Sequence, residues 1–210
     1  MLEWIAMITM LIDHLGATFY PEVSVMRMIG RLAFPLYCFF IVIGLSRTRN
    51  QKRYLKRLLF IALISQIPYN LVFPSLGLNV VFGLLVGAIL IYIYEKYNSV
   101  FKWVLITGIC IVVIIFNDYI SYGIYGVSLC LLYYFLKENA FKLVCAHIIL
   151  NIMFNFQQTG NFISGQMLSV LGTLIIIWRN KLPHMPVPRK FYQAFYPSHL
   201  LLVGILSYLL

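Results

Sequence analysis

The stretch LITGICIVVIIF, residues 105–116, decides the fold. It carries no charge and no proline, and its apolar residues are continuous. Strands of a membrane barrel alternate lipid-facing and lumen-facing side chains, so a run without alternation reads as helix. ILIYIYEKY (89–97) and VLGTLIIIW (170–178) repeat the pattern. The whole chain follows suit: 62% of its 210 residues are hydrophobic and 10% are charged, with a mean hydropathy of +0.90. Soluble domains are about 45–50% apolar and about 25% charged, so this composition excludes an ordinary soluble domain.

Apolar runs between charged, Pro, Gly or Asn punctuation fall at 3–20, 25–45, 55–73, 78–94, 101–117, 121–136, 140–156, 162–178 and 191–210. The expectation is an all-α, polytopic integral membrane bundle of about nine transmembrane helices, with residues 1–210 forming one domain. The opening MLEWIAMITMLIDHL has an acidic start and a polar middle, unlike a cleaved signal peptide, so it reads as the first span. Pro35 and Pro68 lie inside apolar runs and are expected to bend or interrupt them. Gly83 with Gly87, and Gly165 with Ser169 and Thr173, place small residues four apart, where helix backbones pack closely.

Charge supplies the topology. Sixteen Lys or Arg against six Asp or Glu give a net charge of +10, a balance that in a soluble chain suggests nucleic acid. The apolar content argues against nucleic acid and for a membrane. All basic residues except Arg27 and Arg31 fall in alternate connections, near 47–57, 95–102, 137–142 and 179–190. The intervening connections, near 21–24, 74–77, 118–120 and 157–161, have none. The positive-inside rule then places the N-terminus and the basic connections in the cytoplasm and the C-terminus outside a cell membrane. Cys38, Cys110, Cys130 and Cys145 all lie in apolar runs with no CxxC spacing, as packing residues would.

Polar groups within spans are costly and therefore informative. Asp13 lies about 10 Å below the outer end of its span, and Arg27 and Arg31 lie at a similar depth in the next one, so Asp13 is expected to pair with one of them. Such a pair either locks two helices together or belongs to a site. Asp13 and His14 are adjacent, point about 100° apart on a helix, and so serve different neighbours. His14, His147 and His199 bring imidazoles toward mid-membrane from three spans, His147 being the one most like a packing residue. His147, Asn151 and Asn155 form a stripe of period four, as do Gln66 and Asn70, and these stripes suggest a wet cavity. No spacing such as HExxH supports a metal site, and none is expected. An imidazole in a cavity suits general-base work on an activated acyl group. The segment SRTRNQKRYLKRLL holds Arg47, Arg49, Lys52, Arg53, Lys56 and Arg57 with no acid among them. It reads as a topology signal touching anionic lipid, or as a cradle in which Arg53 and Arg57, four apart, hold the phosphates of a donor such as coenzyme A.

MITMLIDHLG, MRMIGRLAFPLYCFFIVIGLSRTRN, KRYLKRLLFIALISQIPYNL with LNVVFGLL, and FYQAFYPSHLLLVGIL occur in that order. In these motifs the chain resembles the TraX-like membrane proteins, named after the F-pilin acetylase of conjugative plasmids. The resemblance covers the first half and both ends, and HIILNIMF is a further fragment of it. TraX-like proteins are in turn distantly similar to the acyltransferase-3 family, in which a first-helix histidine is the catalytic residue. The resemblance implies an acyl-CoA-dependent acyltransferase with His14 as its catalytic histidine. Asp13, Arg31 and His199 become site neighbours, and Arg53, Arg57, Arg47 and Lys56 contact acetyl-CoA from the cytoplasm. The acceptor implied is a pilin-like peptide, a glycan or a lipid-linked sugar. Acyl-enzyme formation on Ser65, Cys38 or Cys145 is less favoured, since no base pairs with them. The alternatives are a small-solute or ion transporter, because polar groups in spans also mark translocation paths, and an envelope scaffold protein.

Overall fold

The computed structural model describes residues 1–209 apart from Ser75. Among these residues ten α-helices follow one another: α1 (Leu2–Phe19), α2 (Ser24–Gly30), α3 (Ala33–Arg47), α4 (Gln51–Val72), α5 (Val80–Lys96), α6 (Val100–Ile115), α7 (Gly123–Leu136), α8 (Ala140–Thr159), α9 (Ser169–Ile177) and α10 (Arg189–Leu209). A 3-10 turn, Gly165–Leu168, leads into α9. Among the described residues there is no strand element, so the protein is all-helical. Among the described residues four segments are able, by length and composition, to cross a membrane: Leu2–Phe19, Ser24–Arg47, Gln51–Val72 and Ala140–Thr159. This is a membrane protein, and the remaining helices are shorter or less apolar.

Helix boundaries follow local chemistry. The expected second span is split into α2 and α3 at Arg31–Leu32. Pro35, in the first turn of α3, has no N–H to donate, and its ring crowds the carbonyl four residues back, which is that of Arg31. Pro68 leaves α4 unbroken, and Pro197 likewise sits inside α10. Helices α4, α5 and α8 begin after Asn50, Asn79 and Asn139, whose side-chain oxygens accept from the N–H groups of Arg53, Val81 and Lys142. Helix α8 ends at Gly160, where φ is +72°, the left-handed conformation that glycine adopts without steric cost.

Helix α3 is the central post. Nine of its residues are buried, from Ala33 to Leu45, and it packs on α1, α5, α7 and α9. Helix α10 lies along α4 and α1. Gly83 meets Ile120 and Ser121, just before α7, and Gly87 meets Cys130 within it, as close packing requires. Ser169 and Thr173 instead place hydroxyls in a polar seam with His147.

Four hydrogen bonds define the two ends of the bundle. The N-terminal amine donates to the Met185 carbonyl (2.9 Å), and Gln51 donates to Glu95 (2.6 Å), so the N-terminus and the connections near 47–57, 95–102 and 179–190 share one end. At the other end the α4–α5 and α6–α7 connections pair: Leu78 N–H donates to Tyr119 C=O (2.6 Å) and Ser121 N–H to Leu78 C=O (3.1 Å). Three of the four basic connections thus gather at one end, and two of the uncharged or acidic ones meet at the other.

Candidate active site

A cavity of about 870 Å³ runs along α3 from one end of the bundle toward the other. Phe34, Tyr37, Ile41, Gly44 and Arg47 recur on one face of that helix and line the cavity up to its mouth, with Arg31, just before the helix, at the bottom. Helix α10 contributes Arg189, Tyr192, Gln193 and Tyr196, and α4 contributes Tyr54, Arg57, Leu58 and Ile61, again at helical spacing. Arg47, Arg49, Arg57 and Arg189 form the mouth, at the basic end. Tyr37, Phe40, Tyr54, Tyr192 and Tyr196 form an aromatic throat, with Tyr192 ringed by Tyr37 and Phe40 at centroid distances of 6.1 and 6.0 Å. Beyond the throat lie Asp13, His14, Arg27, Arg31, Tyr122 and Ser121. Six arginines and one carboxylate, Asp13, line the whole cavity. Guanidinium groups present planar, forked donors, the geometry that matches phosphate.

His14 and His199 form a pair. Nδ1 of His14 lies 2.8 Å from Nε2 of His199, with the ring planes 6° apart, although the two residues are 185 positions apart in the chain. His199 Nδ1 lies 2.7 Å from the Phe195 carbonyl. A carbonyl only accepts, so His199 carries its proton on Nδ1 and offers the Nε2 lone pair. His14 must therefore donate from Nδ1, leaving Nε2, with its lone pair, as the basic atom in the neutral pair. His14 lines the cavity; His199 does not, and at 5% exposure it stands behind His14. Phe195 stacks on His199 (4.7 Å, 18°) and Phe73 meets His14 edge-on (5.5 Å, 71°), so both rings are held by packing. Among the described residues no group of three His, Cys, Asp or Glu comes together around a point.

Asp13 turns away from His14, as adjacent helical residues must. Its Oδ2 lies 2.7 Å from Arg27, which also donates to the Asp13 backbone carbonyl at 3.1 Å. Gly30 packs directly on the Asp13 side chain, and a Cβ there would overlap it. Arg31, the C-cap of α2, lines the same cavity as Arg27 but takes a different partner, donating to the Tyr122 hydroxyl at 3.2 Å. Tyr122 stacks on Phe34 (3.9 Å, 5°). It is the one described non-glycine residue with positive φ (+62°), a conformation costing an aromatic residue on the order of 1–3 kcal/mol. Strain of this kind persists where the surroundings demand it, here by fixing the ring between Phe34 and Arg31.

Of the residues singled out from sequence, Asp13, His14, Arg31, Arg47 and Arg57 line the cavity. Arg53 and Lys56 are exposed and point elsewhere. Arg49, Arg189 and Tyr122 take positions that sequence reasoning had not assigned to them. The polar stripes do not mark the cavity. His147 (0% exposed) lies 2.6 Å from Thr173 and within 3.2 Å of Tyr125 and Ser169, while Asn151 joins the same hydroxyls, so this stripe is a dry, satisfied seam between α7, α8 and α9. Gln66 and Asn70 tie α4 to the start of α5 through Asn79 and the Gly77 carbonyl. Ser65 and Cys38 are fully buried outside the cavity lining.

The chain is similar to two curated proteins. It is 33% identical over 124 residues to the uncharacterized protein RP591 of Rickettsia prowazekii (strain Madrid E), a match covering 58% of this chain and 47% of that protein. It is 42% identical over 73 residues to the probable fimbrial assembly protein FimC, serogroup H1, of Dichelobacter nodosus, covering 33% of this chain and 30% of that protein. The matched stretches therefore span half or less of these relatives' lengths. No solved structure matches the chain. The family described as TraX protein matches residues 1–207, essentially the whole bundle including His14, His199 and the arginine mouth. The chain belongs to the TraX protein family.

Proposed function

We propose that this protein is a membrane-embedded acetyltransferase that moves an acetyl group from cytoplasmic acetyl-CoA to the oxygen or nitrogen of an envelope or exported acceptor. The observation that carries the reading is one continuous cavity joining four arginines at its mouth to the His14–His199 pair in its depth. On this reading the basic end faces the cytoplasm of a cell-membrane protein, in keeping with the distribution of Lys and Arg. Arg47, Arg49, Arg57 and Arg189 hold the nucleotide phosphates, and the apolar and tyrosine-lined throat takes the slender arm that carries the thioester.

His14 Nε2 then accepts a proton from the acceptor hydroxyl or amine as that atom attacks the thioester carbon. The resulting imidazolium keeps its Nδ1–H bond to His199, whose own Nδ1–H stays on the Phe195 carbonyl, so the pair orients the base and spreads its charge. Arg31, supported by Tyr122, steadies the developing oxyanion. As the tetrahedral intermediate collapses, the carbon–sulfur bond breaks and His14 returns the proton to the leaving thiolate. Acetylated acceptor and free coenzyme A balance the reaction. Asp13 neutralises Arg27 beside the site and holds α1 against α2. The probable role in fimbrial assembly named for one relative favours an acceptor among exported or surface-assembled peptides.

Binding of acetyl-CoA to purified protein, measured by calorimetry, tests the donor. Saturable heat that disappears when acetyl-CoA is replaced by a dephosphorylated pantetheine ester supports the reading, and absence of any binding contradicts it. A transporter is the second reading, because a further cavity approaches the first from the other end. Solute-dependent flux in proteoliposomes, with no acetyl-CoA binding, would favour it.

A further inference from the structure

We propose that the acceptor enters by the smaller cavity, at the end opposite the arginine mouth, and that the part of it that enters bears no phosphate or carboxylate. The reaction itself is taken from the acyltransferase reading; the route stands on separate geometry. The smaller cavity, about 470 Å³, shares Tyr69, Ser121, Tyr122 and Phe154 with the larger one. A residue that lines two cavities is a wall one side chain thick. The wall is closed by side-chain contacts: Tyr69 and Ser121 hydroxyls lie 3.0 Å apart, and Tyr122 is held by Phe34 and Arg31. It stands one ring from the chemistry, since Phe73 touches His14 at 5.5 Å and Tyr69 at 5.3 Å between centroids.

The two cavities differ in charge. The larger one is lined by six arginines, whereas the smaller has neither Lys nor Arg among its lining residues and carries one carboxylate, Asp118. A phosphorylated donor is drawn to the first and finds no cationic partner among the lining residues of the second, while a neutral or cationic group is admitted to the second. Asn117, Gln158 and Tyr119 supply hydrogen-bonding groups there without net charge. Donor and acceptor thus approach from opposite ends, and the nucleophilic O–H or N–H meets the thioester at the wall. Its proton passes to His14, its oxygen or nitrogen takes the acetyl carbon, and coenzyme A leaves as the thiol by the way it came.

The route is tested by placing single cysteines in the otherwise native chain and labelling intact cells and inverted vesicles with two membrane-impermeant thiol reagents, one cationic and one anionic. Native-chain labelling gives the background from Cys110 and Cys145, and rates are normalised to a free thiol. Arg49→Cys marks the face of the arginine mouth. Ser121→Cys at the wall, and Gln158→Cys at the rim as a second site tolerant of change, should label from the opposite face, faster with the cationic reagent. Asp118→Lys should reverse that preference. Labelling of Ser121→Cys and Gln158→Cys only from the Arg49 face, labelling from neither face, or a preference for the anionic reagent overturns the proposal. Acetyl-CoA binding measured on the same preparations separates the two ideas. Normal binding without far-face labelling rejects the route alone, and far-face labelling without binding rejects the donor alone.

Discussion

Replacing His199 with phenylalanine isolates the contribution of the histidine pair. The ring shape and the stack on Phe195 are kept, but the acceptor for His14 Nδ1–H is lost. In the ground state that hydrogen bond joins two neutral rings and contributes about 0.5–1.5 kcal/mol; once His14 has taken a proton the bond is charge-assisted and contributes about 1.5–3 kcal/mol. Only the increment, about 1–2 kcal/mol, is specific to the transition state, which corresponds to a fall in kcat of about 5- to 30-fold. His199 does not line the cavity, so KM for acetyl-CoA should hold steady. A positioning role also makes a statement about rescue: His199→Gln places an amide oxygen near the position of the ring Nε2 and should recover most of the loss. The assay is transfer of labelled acetyl from acetyl-CoA to membrane and exported fractions of a deletion strain, with kcat and KM separated. Unchanged kcat in His199→Phe, or a rise in KM with kcat intact, would show that His199 does not orient the His14 base.

Three other outcomes follow from named contacts. Arg27→Met strands the Asp13 carboxylate, whose Oδ1 already lacks a partner among the described residues. With Arg27 about one-third exposed, the loss should be near the lower end of the range for breaking a buried pair, about 3 kcal/mol, and Asp13→Asn combined with Arg27→Met should recover much of it in a detergent unfolding assay. Arg57→Gln and Arg189→Gln should each raise the Kd for acetyl-CoA about tenfold, as loss of a charge-assisted bond of about 1.5 kcal/mol would, whereas Arg53→Gln and Lys56→Gln should leave it unchanged in the same calorimetry. Gly30→Ala brings a Cβ against the Asp13 Cβ as well as its carboxylate, so α1 and α2 must shift apart; it should cost on the order of 1–3 kcal/mol in thermal unfolding, a loss that pairing it with Asp13→Ala, which keeps that Cβ, does not remove.

The helical boundaries were legible because charge, asparagine and proline mark them in the chain itself. Asn50, Asn79 and Asn139 start helices by capping, and Pro35 splits the second span where its ring meets the Arg31 carbonyl. The sorting of basic connections to one end was legible for the same reason, since charge is a property of each connection alone. Pairings across the chain were not. Nothing local in FYPSHL indicates that His199 will meet His14 rather than lie against lipid; packing of α10 on α1 decides it. Tyr122 is one of fifteen tyrosines, and neither its left-handed backbone nor its place at the wall has a signature in composition. Arg189 lay hidden among residues that already served as a topology signal. The polar stripes misled because period-four spacing marks a face that avoids lipid without saying whether water or protein covers it; for His147 and Asn151 it is protein.

Acetyl transfer by His14 is tested most directly by comparing native protein with His14→Ala in transfer of labelled acetyl from acetyl-CoA to the membrane and exported fractions of a strain lacking the protein. The native protein should transfer acetyl saturably, and His14→Ala should lose about 10²–10⁴-fold in rate with acetyl-CoA binding preserved. Transfer at the native rate by His14→Ala would contradict a catalytic role for His14.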